Sequence, residues 1–287
     1  MEWIDKMNSA LDYIEDNLDK EIDYDVVARK ACCSSYNFQR VFSFIADVSL
    51  GEYIRRRRLT KAALELQNED SRVVDVALKY GYDSPVSFAR AFTNLHGVTP
   101  SEGKKEGVNL KSYPRISFKI TIKGVEKMNY RIEKEKGFKL VGKRKTVTTK
   151  DGENFVEIPK FWNTLYEEGT CDKLINLCDK SNKAMYGVCY NFGKDKFDYM
   201  IAVESDKDLD EKFEMLDVPE LNWVKFQCRG KMPEAQQSVW KRIFTEWFPT
   251  SGYEHDEGPE IEWYSNEDMN SDNYLSEIWI PIKKSNK

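Results

Sequence analysis

Apolar residues recur over the first hundred positions at the three- and four-residue intervals of a helix, and they close twice on the same phrase. The stretch VARKACCSSYNFQRVF starts at Val27 and VALKYGYDSPVSFARAF at Val76. Val27 and Ala28 align with Val76 and Ala77, and Phe38, Arg40 and Phe42 align with Phe88, Arg90 and Phe92, the second copy having one more residue in its turn. In each copy a short apolar segment (Val26, Val27, Ala31; then Val73, Val76, Ala77, Tyr80) meets a turn, and a second helix begins at a cap. Ser34 or Ser35 caps the first, and Asp83 or Ser84 the second. Pro85 falls near the first helical position, where its missing N–H costs nothing, and Gly81 lies in the turn, where a positive φ is cheap. The pattern predicts two helix-turn-helix units. Their phenylalanines, at i and i+4, share a stripe that anchors each second helix, while Arg40 and Arg90 lie about 200° round from the first Phe at ~100° per residue.

Between the copies, SLGEYIRRRRLTKAALELQ has no Gly or Pro after Gly51 and predicts a long helix whose core face carries Leu59, Ala62, Ala63 and Leu66. Its length of roughly 28 Å, at 1.5 Å per residue, is comparable with the ~34 Å between successive major-groove faces of DNA. The helical pattern stops at Pro100 and Ser101, and Gly103 and Gly107 loosen the chain further.

From Met128 the period changes to two. Strands are expected at NYRIEKE, FKLVGKRKTVT, AMYGVCYN and FDYMIAVE, with a helix at IPKFWNTLYEEG. The order then repeats, with strands LNWVKFQCRG, PEIEWYS and YLSEIWIPI and a helix at PEAQQSVWKRIFTEWF. Two strand-helix-strand-strand repeats predict an α+β domain with a pseudo-twofold, its paired sheets covered by helices on one side. The fold class is therefore multidomain: an all-α domain at 1–107, a linker at 108–127 and an α+β domain at 128–287. A chain of 287 residues is long enough for two or three domains.

In the last strand Ile278, Ile280 and Ile282 take the helix-covered face, which puts Glu277 on the other face with Leu275 and Trp279. The matching position of the first repeat is assigned to Tyr199. A carboxylate ringed by Tyr and Trp suits an aromatic cation through charge and cation-π attraction; the same spacing also fits a surface Glu beside a structural Trp. Trp240, Phe244 and Trp247 are assigned to the core.

Charge changes the picture only locally. Residues 29–61 hold eight basic against two acidic residues, and 111–145 hold twelve against three, within a chain whose net charge is -5. Such patches attract phosphate, and they equally fit solvated helix and linker surfaces. Of Arg55 to Arg58, some are expected on phosphate and at least one on an acid such as Glu52. Six cysteines lack any Cys-x-x-Cys spacing and there are two histidines, so no metal, cofactor or catalytic set is expected, and Cys32 and Cys33 are taken as small apolar residues. No apolar run reaches the roughly 18 residues of a membrane span, and the acidic, mixed N-terminus is unlike a signal peptide; a cytoplasmic location without membrane contact is expected.

The stretch from about Met1 to Lys104, with DSPVSFARAF and the following GVTPSEGKK, resembles the DNA-binding domain of the AraC/XylS transcription regulators. That resemblance implies double-stranded DNA as partner, with base-reading positions at Tyr36, Gln39 and Arg40 in the first unit and Pro85, Val86, Ala89 and Arg90 in the second. Pro85, Val86 and Ala89 offer no hydrogen bonds, so apolar contacts with thymine methyls and one Arg contact are expected there. Residues from about 128 to 284, with EIPKFWNTLYEEG, SVWKRIFTEWFPTSGYE, PEIEWY and YLSEIWIPI, look like the GyrI-like effector-binding domain of Rob-type and multidrug-sensing regulators. This second resemblance implies a small-molecule effector in a hydrophobic cleft with an acid near its base. Glu277 matches that acid, with Tyr199 and Trp279 as walls and Trp162, Phe161, Trp223 and Tyr264 as further candidates. The expectation is a non-enzymatic transcription regulator with a small aromatic or cationic effector and RNA polymerase as a further partner. The alternatives are a C-terminal hydrolase of small electrophilic compounds and a protein-interaction module without a ligand.

Overall fold

A computed structural model describes residues 3–68, 70–119, 127–149, 152–179, 183–193, 196–207 and 212–285. The chain divides into two compact units, one of Met1–Phe38 with Val48–Lys119, the other of Gln39–Asp47 with Ile120–Lys287. Among the described residues no helix is long and apolar enough to cross a membrane.

The helices of the N-terminal region run α1 (Trp3–Asp16), α2 (Tyr24–Ala31), α3 (Ser35–Ala46), α4 (Leu50–Leu66), α5 (Val73–Lys79), α6 (Pro85–His96) and α7 (Pro100–Gly103). Their boundaries follow from side-chain caps that accept otherwise unpaired N–H groups. Asp23 accepts from the N–H of Asp25 at 2.8 Å, Ser34 from Asn37 at 3.1 Å, Ser49 from Glu52 at 3.2 Å and Ser84 from Ser87 at 3.1 Å. Of the two caps open in each repeat, the structure uses Ser34 and Ser84. At Pro100 the chain does not leave the helix pattern at once: Thr99 and Glu102 form a reciprocal capping box that supports the single turn of α7.

The core of this unit joins Leu59, Ala62, Ala63 and Leu66 of α4 to Val76, Ala77 and Tyr80 at α5 and to Phe88 and Phe92 of α6. Burying each such Phe contributes about 1.5–3 kcal/mol, enough to hold α6 against α4. Residues 113–118, expected in a linker, are instead bonded into the unit. Tyr113 N–H donates to Thr60 Oγ1 at 3.1 Å, Ile116 N–H to Tyr53 Oη at 3.2 Å, and Asn8 clasps both backbone groups of Phe118 at 2.8 and 2.9 Å.

The second unit holds β1 (Tyr130–Glu135), β2 (Phe138–Thr148), α8 (Asn154–Glu167), α9 (Thr170–Leu177), β3 (Ala184–Tyr190), β4 (Lys196–Glu204), β5 (Glu214–Val218), β6 (Leu221–Arg229), α10 (Glu234–Arg242), α11 (Phe248–Ser251), β7 (Tyr253–His255), β8 (Glu260–Ser265) and β9 (Leu275–Lys284). A π-helical turn, Ile243–Trp247, links α10 to α11. The strands form one sheet of order β1-β6-β9-β8-β3-β4-β2-β5, with β7 on β9. The expected pair of sheets is thus a single sheet, because β8 of the second repeat pairs directly with β3 of the first. In this unit α9, β5 and β7 escaped the sequence pattern.

Register fixes which side chains share a face, since successive residues alternate. Tyr199 stands opposite Cys189, Gly187 opposite Glu262 and Glu262 opposite Ile278, so these share one face with Tyr264. Helices α8 and α10 cover it: Trp162 Nε1 donates to Tyr199 Oη at 2.9 Å and Trp240 Nε1 to Glu262 at 2.9 Å. The other face carries Tyr186 opposite Trp263, Trp263 opposite Glu277, and Lys225 opposite both Trp279 and Arg131. Its core joins Leu140, Tyr186, Met200, Trp223 and Trp279.

Candidate functional site

In the second helix-turn-helix unit, Ser84 caps α6 and Pro85 occupies its first turn, which fixes the pitch of the helix from its N-terminus. Phe88 and Phe92 are buried, and between them Arg90 faces outward. Pro85, Val86 and Arg90 are exposed, Val86 to 78%, and Ala89 is half-buried. The result is a rigid ridge with an apolar leading edge and one cation.

The corresponding positions on α3 are placed differently. Tyr36 is buried and Gln39 half-buried. Arg40 is 8% exposed; its guanidinium lies 3.8 Å from the Trp240 ring centroid and pairs with buried Glu260. In this arrangement the group is engaged within the second unit, to which residues 39–47 belong.

The run Arg55–Arg58 is also largely engaged. Arg55 and Arg56 both reach Glu52. Arg57 holds Glu15 at 2.8 Å and the Tyr113 carbonyl at 2.6 Å, and Arg58 donates to the Leu18 carbonyl at 2.8 Å and to that of Lys20 at 2.6 Å. Burial would raise the Glu15 carboxyl, but hydrogen bonds from Arg57 and Tyr53 hold it below the usual range. Arg57 and Arg58 thus tie α1 and the turn after it to α4.

On the face of the sheet opposite α8 and α10, Glu277 is 7% exposed and accepts three hydrogen bonds. Arg131 grips it with both guanidinium nitrogens at 2.6 and 2.9 Å, and Trp279 Nε1 donates to the same carboxylate at 2.8 Å. The carboxylate holds the Arg131 guanidinium above its ordinary value. Trp279 is walled by Tyr186 and Trp223, with ring centroids at 6.0 and 6.2 Å. Lys225 Nζ stands 3.4 Å from the Trp279 ring centroid, held by Glu133 at 2.8 Å and by Glu135. The hydrogen bond from Lys225 keeps Glu133 below the usual carboxylate range. Tyr186 Oη donates to Glu204 at 3.3 Å, and burial with that carboxylate pushes its phenol well up. Trp223 Nε1 is buried with no hydrogen-bond partner among the described residues.

Chemically, this is a buried aromatic cluster with more acid than base: Glu133, Glu135, Glu204 and Glu277 against Arg131 and Lys225. An ammonium already rests on the electron-rich face of Trp279, which is how such rings attract cations.

The residues expected at one site therefore fall into two groups. Glu277, Trp279 and Trp223 come together on the face opposite the helices. Tyr199, Trp162 and Tyr264 meet beneath the helices, where Trp162 and Tyr264 rings stand 5.4 Å apart, and Phe161 sits on α8 with Lys145 Nζ 5.9 Å from its ring. The pairing of Tyr199 with Glu277 is corrected by register: β4 offers Asp198, Met200 and Ala202 to the Glu277 face, and Tyr199 points to the other. FDYMIAVE is apolar on both sides, so its alternation does not reveal which parity faces the helices. Tyr186 and Trp263 are the aromatic residues missed; the signal lay in PEIEWYS, where Ile261 and Trp263 share a parity that Glu260 and Glu262 do not.

Residues 128–283 match the GyrI-like small molecule binding domain, and residues 27–106 match a helix-turn-helix domain. Over 95 residues the chain is 43% identical to the HTH-type transcriptional activator AarP of Providencia stuartii, covering 33% of this chain and 70% of that protein. It is 36% identical over 96 residues to the regulatory protein SoxS of Salmonella typhimurium, covering 33% of this chain and 90% of the relative. The solved structure of SAV2435 bound to tetraphenylphosphonium is 25% identical with a TM-score of 0.50, over 54% of this chain and 94% of that one. The chain therefore belongs to the AraC-type helix-turn-helix transcription regulators and carries a GyrI-like small-molecule-binding domain.

Proposed function

We propose that the effector of this regulator is a lipophilic aromatic cation bound among the aromatic side chains on the face of the sheet opposite α8 and α10. Glu277 supplies the counter-charge, and Trp279, Tyr186 and Trp223 supply the rings. The observation that carries this reading is the Lys225 ammonium 3.4 Å from the Trp279 ring centroid, beside a carboxylate that the same tryptophan orients. The likeness to SAV2435, solved with tetraphenylphosphonium, supports the same ligand class. On the DNA side, Pro85, Val86, Ala89 and Arg90 make the base contacts, Arg90 by hydrogen bonds in the major groove and the others by apolar contact. Tyr36 and Arg40 are left out of this assignment because both side chains are buried. RNA polymerase is the protein partner the reading adds, in keeping with the activator AarP. Ligand and DNA binding are linked, so an effector that changes operator affinity is itself bound with an affinity changed by the same factor.

The test is calorimetric titration of the full chain with tetraphenylphosphonium and with neutral triphenylphosphine oxide, for the wild type and Glu277→Gln. The variant is expected to bind the cation at least about tenfold more weakly, ~1.4 kcal/mol, with the neutral compound little changed. Equal losses for both compounds, or none for either, would overturn the electrostatic role.

A further inference from the structure

The face opposite the helices holds two cations beside Glu277 and Trp279, and they are held in different ways. Lys225 is 2% exposed and is locked between Glu133, Glu135 and the Trp279 ring. Arg131 is 42% exposed and sits on β1, which begins the strand order and pairs only with β6 among the described residues. Its guanidinium lies across Glu277, where a cationic ligand would need to place its charge. A second carboxylate is within reach: Arg131 Nε is already 3.2 Å from Glu133 Oε1, so the side chain can turn onto Glu133 without entering water unpaired. If it does, Glu277 keeps the Trp279 N–H and is left as a buried charge without a counter-ion, a costly state that a ligand cation relieves.

Building on the reading of this face as a cation site, we propose that Arg131 is its resident counter-ion, a built-in competitor that an incoming aromatic cation displaces from Glu277. The wild-type site then answers only to cations that outcompete an intramolecular bidentate arginine, so Arg131 sets the sensitivity of the regulator. A compound without N–H donors, such as a tetraarylphosphonium, cannot reproduce the two forked hydrogen bonds and must compensate through the rings of Trp279, Tyr186 and Trp223. Arg131 therefore acts through Glu277 and selects by charge, which separates it from a residue that merely supports the strand.

The experiment titrates the full chain, as wild type, Arg131→Gln, Arg131→Lys, Glu277→Gln and the Arg131→Gln/Glu277→Gln double variant, with tetraphenylphosphonium and triphenylphosphine oxide. Tryptophan fluorescence reports binding, and a thermal melt reports folding. Arg131→Gln is expected to bind the cation about tenfold more tightly than the wild type, with the neutral compound unchanged. The gain should vanish in the double variant. Arg131→Lys, which keeps the charge but loses the fork, should fall between wild type and Arg131→Gln, and it decides the matter should Arg131→Gln fail to fold. The proposal is overturned if Glu277→Gln weakens cation binding while both Arg131 variants bind it no better than the wild type, or if they tighten the neutral compound equally. Should Glu277→Gln leave cation binding untouched, the reading of the face as a cation site falls first, and Arg131 with it.

Discussion

Arg57 and Arg90 show how one residue type is placed in opposite surroundings in a single unit. Arg57 donates to Glu15 at 2.8 Å in an ion pair with only 12% and 5% of the two side chains exposed, and Tyr53 Oη adds a 2.7 Å bond to the same carboxylate. Removing the cation alone leaves a buried charge uncompensated, so Arg57→Ala should cost about 3 kcal/mol of stability, read as a lower urea midpoint. Arg90 is exposed on α6, and Arg90→Ala should leave the melt unchanged while weakening specific DNA binding by ~1–3 kcal/mol at fixed salt. An operator affinity unaltered at that salt would remove Arg90 from the reading helix. The sequence showed the basic stretch but not this division, because Glu15 lies 42 residues from Arg57. Only tertiary contact identifies which arginines are already paired. The anchoring role of Phe88 and Phe92, by contrast, was legible, since their i, i+4 spacing alone determines a common stripe.

At the scale of elements, local signals set helix ends and strand cores, and pairing sets the rest. Ser84, Pro85 and Gly81 spell out the start of α6 within five residues, so that boundary could be read directly; Ser84→Ala should cost about 1 kcal/mol through the lost cap. Strand existence was equally plain in LNWVKFQCRG and YLSEIWIPI. The short edge strand β5 was not, because Glu214 and Asp217 interrupt any apolar alternation and its pairing with β2 supplies what its composition lacks. The faces of β4 were hidden for the opposite reason, uniform apolarity. Glycine marks where two strands come closest: a Cβ on Gly142 of β2 would lie 2.1 Å from the Ile201 carbonyl and 2.7 Å from the Ala202 Cα. Those are backbone atoms of the adjacent strand, which cannot move aside without breaking the β2–β4 ladder. Gly142→Ala should therefore destabilise the second unit by several kcal/mol, on the order of an overpacked core, and a midpoint within experimental error of the wild type would show the ladder to be more yielding than the register implies.

For the whole molecule, acid sensitivity follows from its two histidines, one in each unit, His96 buried and His255 half-buried. His96 accepts the Lys111 N–H at Nδ1, 3.2 Å away, which places its proton on Nε2, 3.3 Å from the Leu59 carbonyl; burial holds it below its ordinary value. His255 lies 2.9 Å from Glu260, and burial, with Arg40 adding to it, pushes its imidazole down to about 4. A group whose folded value is depressed from an ordinary ~6.5 binds fewer protons in the folded chain than in the unfolded one. Its stabilising contribution is full above about pH 6.5 and is lost as pH falls towards 4. For His255 the loss at pH 5.5 is about 1 kcal/mol, and carboxylates held low by their partners, Glu15 and Glu133, add theirs only at pH values below about 4.5. Urea midpoints at pH 7.5 and 5.5 should therefore fall for the wild type, and fall less for His255→Asn, whose side chain does not titrate. Because His255 and Glu260 stand beneath the helices and Glu277 on the other face, cation affinity should stay nearly constant over the same interval. A cation affinity that tracked the histidine step would mean that the two faces of the sheet respond together.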